Sequence, residues 1–185
     1  KAMFGELENF TEETFFKGVF RLEPGHQLVY QKEDFRIQEF FTLNLRESAS
    51  GYDEEESARR ISEAMEDSVK YHKISDVEIG SFLSGGIDSS YLVSLVRPKK
   101  TFTVGYADPK YDETAYAADL CEKLDILNFV REITKEEYIR AFPDIMYHMD
   151  EPLADPSAID LYFAAETAAK HVKVVTSGEG ADELF

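Results

Sequence analysis

Val77-Glu78-Ile79-Gly80-Ser81-Phe82-Leu83-Ser84-Gly85-Gly86-Ile87-Asp88-Ser89-Ser90-Tyr91-Leu92-Val93-Ser94-Leu95 decides the fold. Val77 to Leu83 is a short apolar run of strand type, and from about Asp88 to Leu95 the pattern is helical. Between them lies Ser84-Gly85-Gly86, a turn with no side chain at two successive positions. Glycine stands where a backbone must bend sharply or approach another group closely. The hydroxyls of Ser84, Ser89 and Ser90 and the free N–H groups of a helix start then converge on one point, an arrangement that binds an anion such as phosphate. Asp88 is out of place there unless it holds Mg2+ beside the phosphates. The alternative is a plain strand-to-helix turn capped by Asp88 and the serines. Gly80 and Gly85 have the spacing of the common nucleotide P-loop, but Gly86 and Ile87 stand where it needs Lys and Ser or Thr. That motif is excluded, as is the three-glycine dinucleotide pattern.

Outward from this stretch, helix and strand alternate. The spacing predicts a helix over 53–70, strands over 101–106 and 129–133, and a helix over 113–124. Further helices are predicted over 135–148 and 158–171, and a last strand over 173–176. This alternation implies an α/β fold with a mostly parallel sheet flanked by helices. The last strand runs into Ser177-Gly178-Glu179-Gly180-Ala181-Asp182-Glu183-Leu184-Phe185, a second glycine-rich turn. Ligands of open parallel sheets bind beyond the carboxyl ends of the strands, so both turns are expected at one edge, facing one pocket. Glu179 and Asp182, three residues apart, suggest Mg2+ ligation or charge management, or else a helix start with dipole-favoured acids. Tyr111-Asp112-Glu113-Thr114 reads better as helix capping than as site. Asp150 to Ser157, stiffened by Pro152 and Pro156, suits a pocket wall and a helix start equally.

The first 50 residues differ. Gly18 to Leu22, Glu23-Pro24-Gly25 and His26 to Tyr30 read as a hairpin about a Pro-Gly turn, with another strand over 35–41. Arg46 to Gly51 reads as a linker. The boundaries adopted are 1–45 for a β-rich first segment and 52–185 for the α/β part.

With 185 residues, 43% of them hydrophobic, the chain can build one medium core. A net charge of −17 argues against a general nucleic-acid binder. Acidic runs such as Asp53-Glu54-Glu55-Glu56 read as solvated helix starts. No apolar run approaches the roughly 18 residues of a spanning helix. The start, Lys1-Ala2-Met3-Phe4-Gly5, lacks a signal peptide's apolar block. Cys121 is the only cysteine, which suits a reducing cytoplasm and a buried small hydrophobe. His26, His72, His148 and His171 show no metal-ligand spacing. Asn9-Phe10-Thr11 matches a glycosylation pattern by coincidence.

Taken together, Ser84-Gly85-Gly86-Ile87-Asp88-Ser89 resembles the pyrophosphate-binding loop of the PP-loop ATP pyrophosphatases. Ser177 to Phe185 and Asp150 to Ser157 narrow the resemblance to the glutamine-hydrolysing asparagine synthetases of bacterial type. Phe15 to His26 resembles the end of that family's glutaminase domain, which makes 1–45 the remnant of such a domain and 52–185 part of the ATP-dependent synthetase domain. The resemblance implies conversion of aspartate to asparagine through a β-aspartyl-AMP intermediate, with glutamine or ammonia as nitrogen donor and ATP and Mg2+ as cofactors. It implies main-chain contacts of Leu83 and Val104 to adenosine and a pyrophosphate cradle of Ser84, Gly85, Gly86, Ser89 and Ser90. It also implies nucleotide contacts from Ser177 and Gly178, Mg2+ on Asp88 and Asp182, and a role for Glu179 in forming the intermediate. The partners expected are these small molecules, with no nucleic acid or membrane; a homodimer stays open. The family's glutaminase starts with a cysteine nucleophile, whereas position 1 is Lys1 and the last motif ends at Phe185, so this polypeptide alone is expected to be inactive. A β-lactam-forming synthetase and a non-catalytic nucleotide-binding fragment are the competing readings.

Overall fold

The computed structural model describes residues 12–42, 51, 53–108, 110, 112–149, 155 and 157–181. The chain divides into two compact units, Lys1–Tyr52 with Met146–Ala154, and Asp53–Ile145 with Asp155–Phe185.

In the first unit, β1 (His26–Gln31) and β2 (Asp34–Glu39) form an antiparallel ribbon, with Gln31 opposite Asp34. The turn residues Lys32 and Glu33 have φ of 53° and 64°. Two successive positive φ values match the right-handed twist of the flanking strands, the reason such turns close hairpins. The hairpin therefore pivots on Lys32-Glu33 and not on Pro24-Gly25. Gly18 to Leu22 forms no strand; Phe20 makes only an isolated bridge to Glu13. Pro-Gly misled because Gly25, with φ of 73°, turns the chain for a different purpose. Its carbonyl accepts the Phe40 and Phe41 N–H groups at 2.8 and 3.1 Å, closing the open end of the ribbon. The linker reading falls, apart from Gly51, outside the described residues.

The second unit is the α/β layer. Helix α1 (Glu54–His72) starts at Asp53, whose carboxylate accepts the Glu56 N–H at 2.9 Å. Glu56 in turn pairs with Arg59 and Arg60 at 2.8 and 2.7 Å, so the acidic run is a solvated helix start. Then follow β3 (Ile79–Phe82), α2 (Ile87–Val96), β4 (Lys100–Tyr106), α3 (Thr114–Leu124), β5 (Leu127–Ile133), α4 (Lys135–His148), α5 (Ser157–Ala168) and β6 (Val174–Thr176). All strand pairs in this sheet are parallel, in the order β5-β4-β3-β6. The chain steps outward from β3 to β5, then returns to the other side of β3. That reversal is a topological switch point.

Helices cover both faces. Leu83, Val93, Ala117 and Cys121 form a buried cluster joining the end of β3 to α2 and α3. On the same side the buried Thr101 hydroxyl meets Cys121 Sγ at 3.2 Å and Asn128 Oδ1 at 3.0 Å. Successive strand residues face opposite ways. Phe102 accordingly turns to the other side, where it stacks with Phe129 and His171, at ring centroids of 5.6 and 5.9 Å. Gly80 makes room for this stack, since a Cβ there would lie 2.6 Å from the Phe102 ring. Helix α5 shields that side with Ile159, Phe163 and Ala164, and the Arg131 guanidinium of β5 lies 5.5 Å from the Phe163 ring centroid.

Leu83 is 1% exposed and touches both helices that flank the first glycine turn. We expect Leu83→Ala to lower the unfolding free energy by about 2–5 kcal/mol, read by chemical denaturation.

Candidate anion-binding site at the carboxyl edge of the sheet

Because β6 returns beside β3, the turns that leave these two strands are neighbours. Ser84, Gly86, Asp88 and Ser89 from the first and Ser177, Gly178 and Glu179 from the second line one cleft of about 240 Å³, together with Phe82, Gly180 and Ala181. The contact is backbone on backbone: a Cβ on Gly178 would lie 3.3 Å from the Ser89 nitrogen.

The first turn is held by its own hydroxyls. Ser84 Oγ accepts the Gly86 N–H at 3.2 Å and lies 2.9 Å from Ser89 Oγ. Ser89 Oγ accepts the Ser84 N–H and donates to the Gly86 carbonyl, both at 3.3 Å. Gly86 is the N-cap of α2 with no side-chain cap. The first N–H groups of a helix have no partner within it, so those of Ile87, Asp88 and Ser89 are available to an anion.

The two glycines do different work. Gly85 has φ of 95°, and a Cβ there would lie 2.9 Å from the Glu113 carbonyl oxygen, against the start of α3. Gly86 is extended, at φ −67° and ψ 168°. The nearest atom to a Cβ on it is Ser84 Oγ, at 3.4 Å. Gly85 lets the chain fit the fold; Gly86 leaves the cleft open. In the second turn, Ser177 Oγ accepts the Glu179 N–H at 3.3 Å and Gly180 has φ of 95°.

Four of the expected residues, Gly85, Leu83, Val104 and Ser90, lie outside the lining. Leu83 is in the core, and its N–H donates to the Phe102 carbonyl at 3.0 Å. Val104 sits on β4, the neighbour of β3 away from β6. Ser90 is one residue beyond Ser89 on α2. Asp182 lies outside the described residues, as do Tyr111, Pro156 and 150–154. Asp112 lies just before Glu113, the N-cap of α3, and its carboxylate accepts the Thr114 N–H at 3.3 Å and hydroxyl at 2.9 Å. Asp155 does the same before α5, accepting the Ser157 N–H at 2.9 Å. Phe82 is a lining residue that sequence reading missed. Its signal was its place near the end of an apolar run, two residues before the turn.

Among the described residues the lining carries carboxylates at Asp88 and Glu179 and no Lys or Arg. Among the described residues no cluster of three or more His, Cys, Asp or Glu could cage a metal. One or two carboxylates sharing the ion with phosphate oxygens is how Mg2+ is usually held, and the exposed Asp88 fits that pattern. The cleft thus suits an anion that brings its own divalent cation.

An open parallel sheet with helices on both faces and a cleft at its switch point defines the doubly wound α/β class, whose ligands bind at that carboxyl edge. More narrowly, the chain belongs to the asparagine synthase family, whose profile matches residues 41–185. It is 42% identical over 172 residues to asparagine synthetase [glutamine-hydrolyzing] 1 of Bacillus subtilis, covering 90% of this chain and 27% of that protein. It is 30% identical over 195 residues to amidase chyE of Penicillium rubens, covering 93% and 29%. The chain therefore spans between a quarter and a third of the length of these relatives. The ammonia-dependent NAD synthetase of Campylobacter jejuni superposes with a TM-score of 0.42 at 20% identity, over 63% of this chain and 54% of that one.

Proposed function

We propose that this chain is the nucleotide-binding part of an enzyme that adenylates the side-chain carboxylate of aspartate with ATP, releases pyrophosphate, and passes the β-aspartyl group from AMP to ammonia. Glutamine is the source of that ammonia when a glutaminase domain is present, and residues 1–45 are read as the end of such a domain. The observation that carries the reading is the meeting of the Ser84–Ser89 and Ser177–Gly180 turns in one cleft, in a member of the asparagine synthase family.

Ser84, Gly85, Gly86, Ser89 and Ser90 make up the pyrophosphate turn, with the N–H groups at the start of α2 aimed at the charge that develops on the leaving group. Ser177 and Gly178 border the same nucleotide, and the main chains of Leu83 and Val104 flank its adenosine end. Glu179 stands at the cleft where acceptor and α-phosphate meet, and governs formation of the intermediate. Asp88 and Asp182 would hold Mg2+, which when bound neutralises phosphate charge. Such positioning makes the attack effectively unimolecular.

The test is ATP–pyrophosphate exchange in the complete protein. Exchange that requires aspartate, with AMP and asparagine formed when ammonia is added, is the expected result. Exchange driven by another carboxylic acid in place of aspartate would overturn the acceptor assignment. The match to a relative named amidase makes that control necessary. Absence of exchange with any acceptor would overturn the nucleotide reading. Asp88→Asn and Asp182→Asn are each expected to raise the Mg2+ concentration for half-maximal exchange by at least about tenfold, measured by Mg2+ titration at saturating ATP.

A further inference from the structure

Asp160 is in the wrong place for a surface carboxylate. It lies in the first turn of α5, and the residues three and four further on, Phe163 and Ala164, are both buried. Positions so spaced share one helix face, so Asp160 stands in the apolar stripe that α5 turns to the sheet. A carboxylate there is costly unless a donor meets it. The donor is Tyr106, the last residue of β4, whose hydroxyl donates to Asp160 Oδ1. Among the described residues this is the side-chain hydrogen bond that ties α5 to the sheet. Tyr106 also lines a second cleft of about 360 Å³ at the ends of β4 and β5, with Asp108, Lys135 and Tyr138 among its walls.

The pair joins the end of β4 to the helix that precedes β6, outside the lining of the phosphate cleft. Tyr106 is two residues past Val104 on β4. Asp160 sits on α5, which ends at Ala168 and is followed, after the turn through Lys173, by β6 and the Ser177–Gly180 turn. We propose that Tyr106 and Asp160 are a positioning pair for the reaction: their hydrogen bond holds α5 against the end of β4 and thereby seats the second glycine turn for the attack on ATP. This inference rests on the functional reading of the cleft.

Among the described residues, few charged or titratable groups surround the pair. Tyr138 on α4 faces Tyr106, and Asp155, just before α5, faces Asp160. Lys135 and Asp108 line the cleft that Tyr106 borders. Arg131 on β5 is engaged by Glu137 at 2.6 Å. Burial raises the Asp160 carboxyl above its ordinary range, the Tyr106 hydroxyl pulls it down, and Asp155 raises it again. Perturbed groups of this kind beside a cleft are characteristic of working sites.

The experiment compares Tyr106→Phe, Asp160→Ala and Asp160→Asn in the complete protein, by aspartate-dependent ATP–pyrophosphate exchange and by thermal unfolding. The first two break the hydrogen bond. We expect kcat to fall about tenfold or more in both, with KM for ATP within about twofold of wild type, because misplacement taxes the reacting geometry more than binding. Asp160→Asn keeps an oxygen for the Tyr106 hydroxyl and removes the ionisation. It is expected to retain most of kcat, because a neutral group with the same oxygen still holds the bond. Tyr106→Phe and Asp160→Ala variants that melt earlier but keep wild-type kcat would overturn the inference, leaving the pair a packing feature. Should Tyr106→Phe not fold, an Asp160→Ala kcat equal to wild type overturns it equally. Wild-type protein without exchange would overturn the reading of the cleft and this inference with it; normal exchange with indifferent variants overturns this inference alone.

Discussion

Replacement of Gly86 by valine is expected to lower ATP–pyrophosphate exchange in the complete protein by at least about a hundredfold while the fold survives. The magnitude is that of losing preorganised hydrogen-bond donors at developing charge. Survival follows from the backbone. Gly86 has φ −67° and ψ 168°, which valine adopts readily, and a Cβ meets nothing nearer than Ser84 Oγ at 3.4 Å. Valine is a poorer N-cap than glycine, so unfolding free energy should fall by about 1 kcal/mol. Its methyl groups would stand over the N–H groups of Ile87, Asp88 and Ser89, where the phosphate must come. Exchange and denaturation measured on the same preparation decide the matter. Wild-type exchange would sink the assignment of this turn, and a collapsed fold would show that Gly86 serves packing.

Gly85→Ala is expected to fail in the opposite way, by loss of stability of about 3 kcal/mol or more. At φ of 95° an alanine is strained wherever it points. Here it points at the backbone of the next helix, 2.9 Å from the Glu113 carbonyl oxygen and 3.3 Å from the Ala117 nitrogen. Neither atom can swing aside as a long side chain would, so the turn or the start of α3 must shift. The check is the denaturant midpoint, which should fall well below that of Gly86→Val. Equal midpoints for the two variants would refute the division of labour between adjacent glycines.

Stability should also respond to acid through Glu137 and Asp160, with opposite signs. Arg131 and the Thr134 backbone and hydroxyl hold the Glu137 carboxyl at about 2. Its folded value lies below its unfolded one, so its contribution is present above the ordinary glutamate range and is lost as pH falls toward 2. Asp160 is raised, so the folded state binds its proton more tightly than the unfolded chain. Its contribution is present below the ordinary aspartate range and is lost as pH rises through the folded value. Comparing denaturant midpoints of Glu137→Gln and wild type from neutral to acid pH is expected to show a difference that shrinks on acidification.

Much of the α/β unit was legible because its signals are local. Apolar runs of strand length, helical spacing and acidic helix starts recur from Asp53 to Thr176, and each acts through neighbours a few residues away. The helix over Lys135–His148 was readable even with Pro143 inside it. The hairpin was misplaced for the same reason. A Pro-Gly pair is a strong local turn signal, while the real pivot, Lys32-Glu33, takes positive φ without a glycine to announce it.

By itself the sequence determined two glycine-rich turns after two strands, the residue types they carry, and a parallel sheet with both turns at its carboxyl edge. Only the tertiary structure decided that β6 pairs with β3, where Ser81 Oγ donates to the Thr176 carbonyl at 3.2 Å. Strand order sets whether two turns at one edge are neighbours or lie several strand spacings apart. It depends on long-range pairing that no local pattern records. The same holds for Gly85 and Gly86, which are alike in the sequence. What tells them apart is the start of α3 lying against one and an open cleft against the other. Tyr106 and Asp160 likewise carry no motif, and they become a pair only because α5 packs on the end of β4.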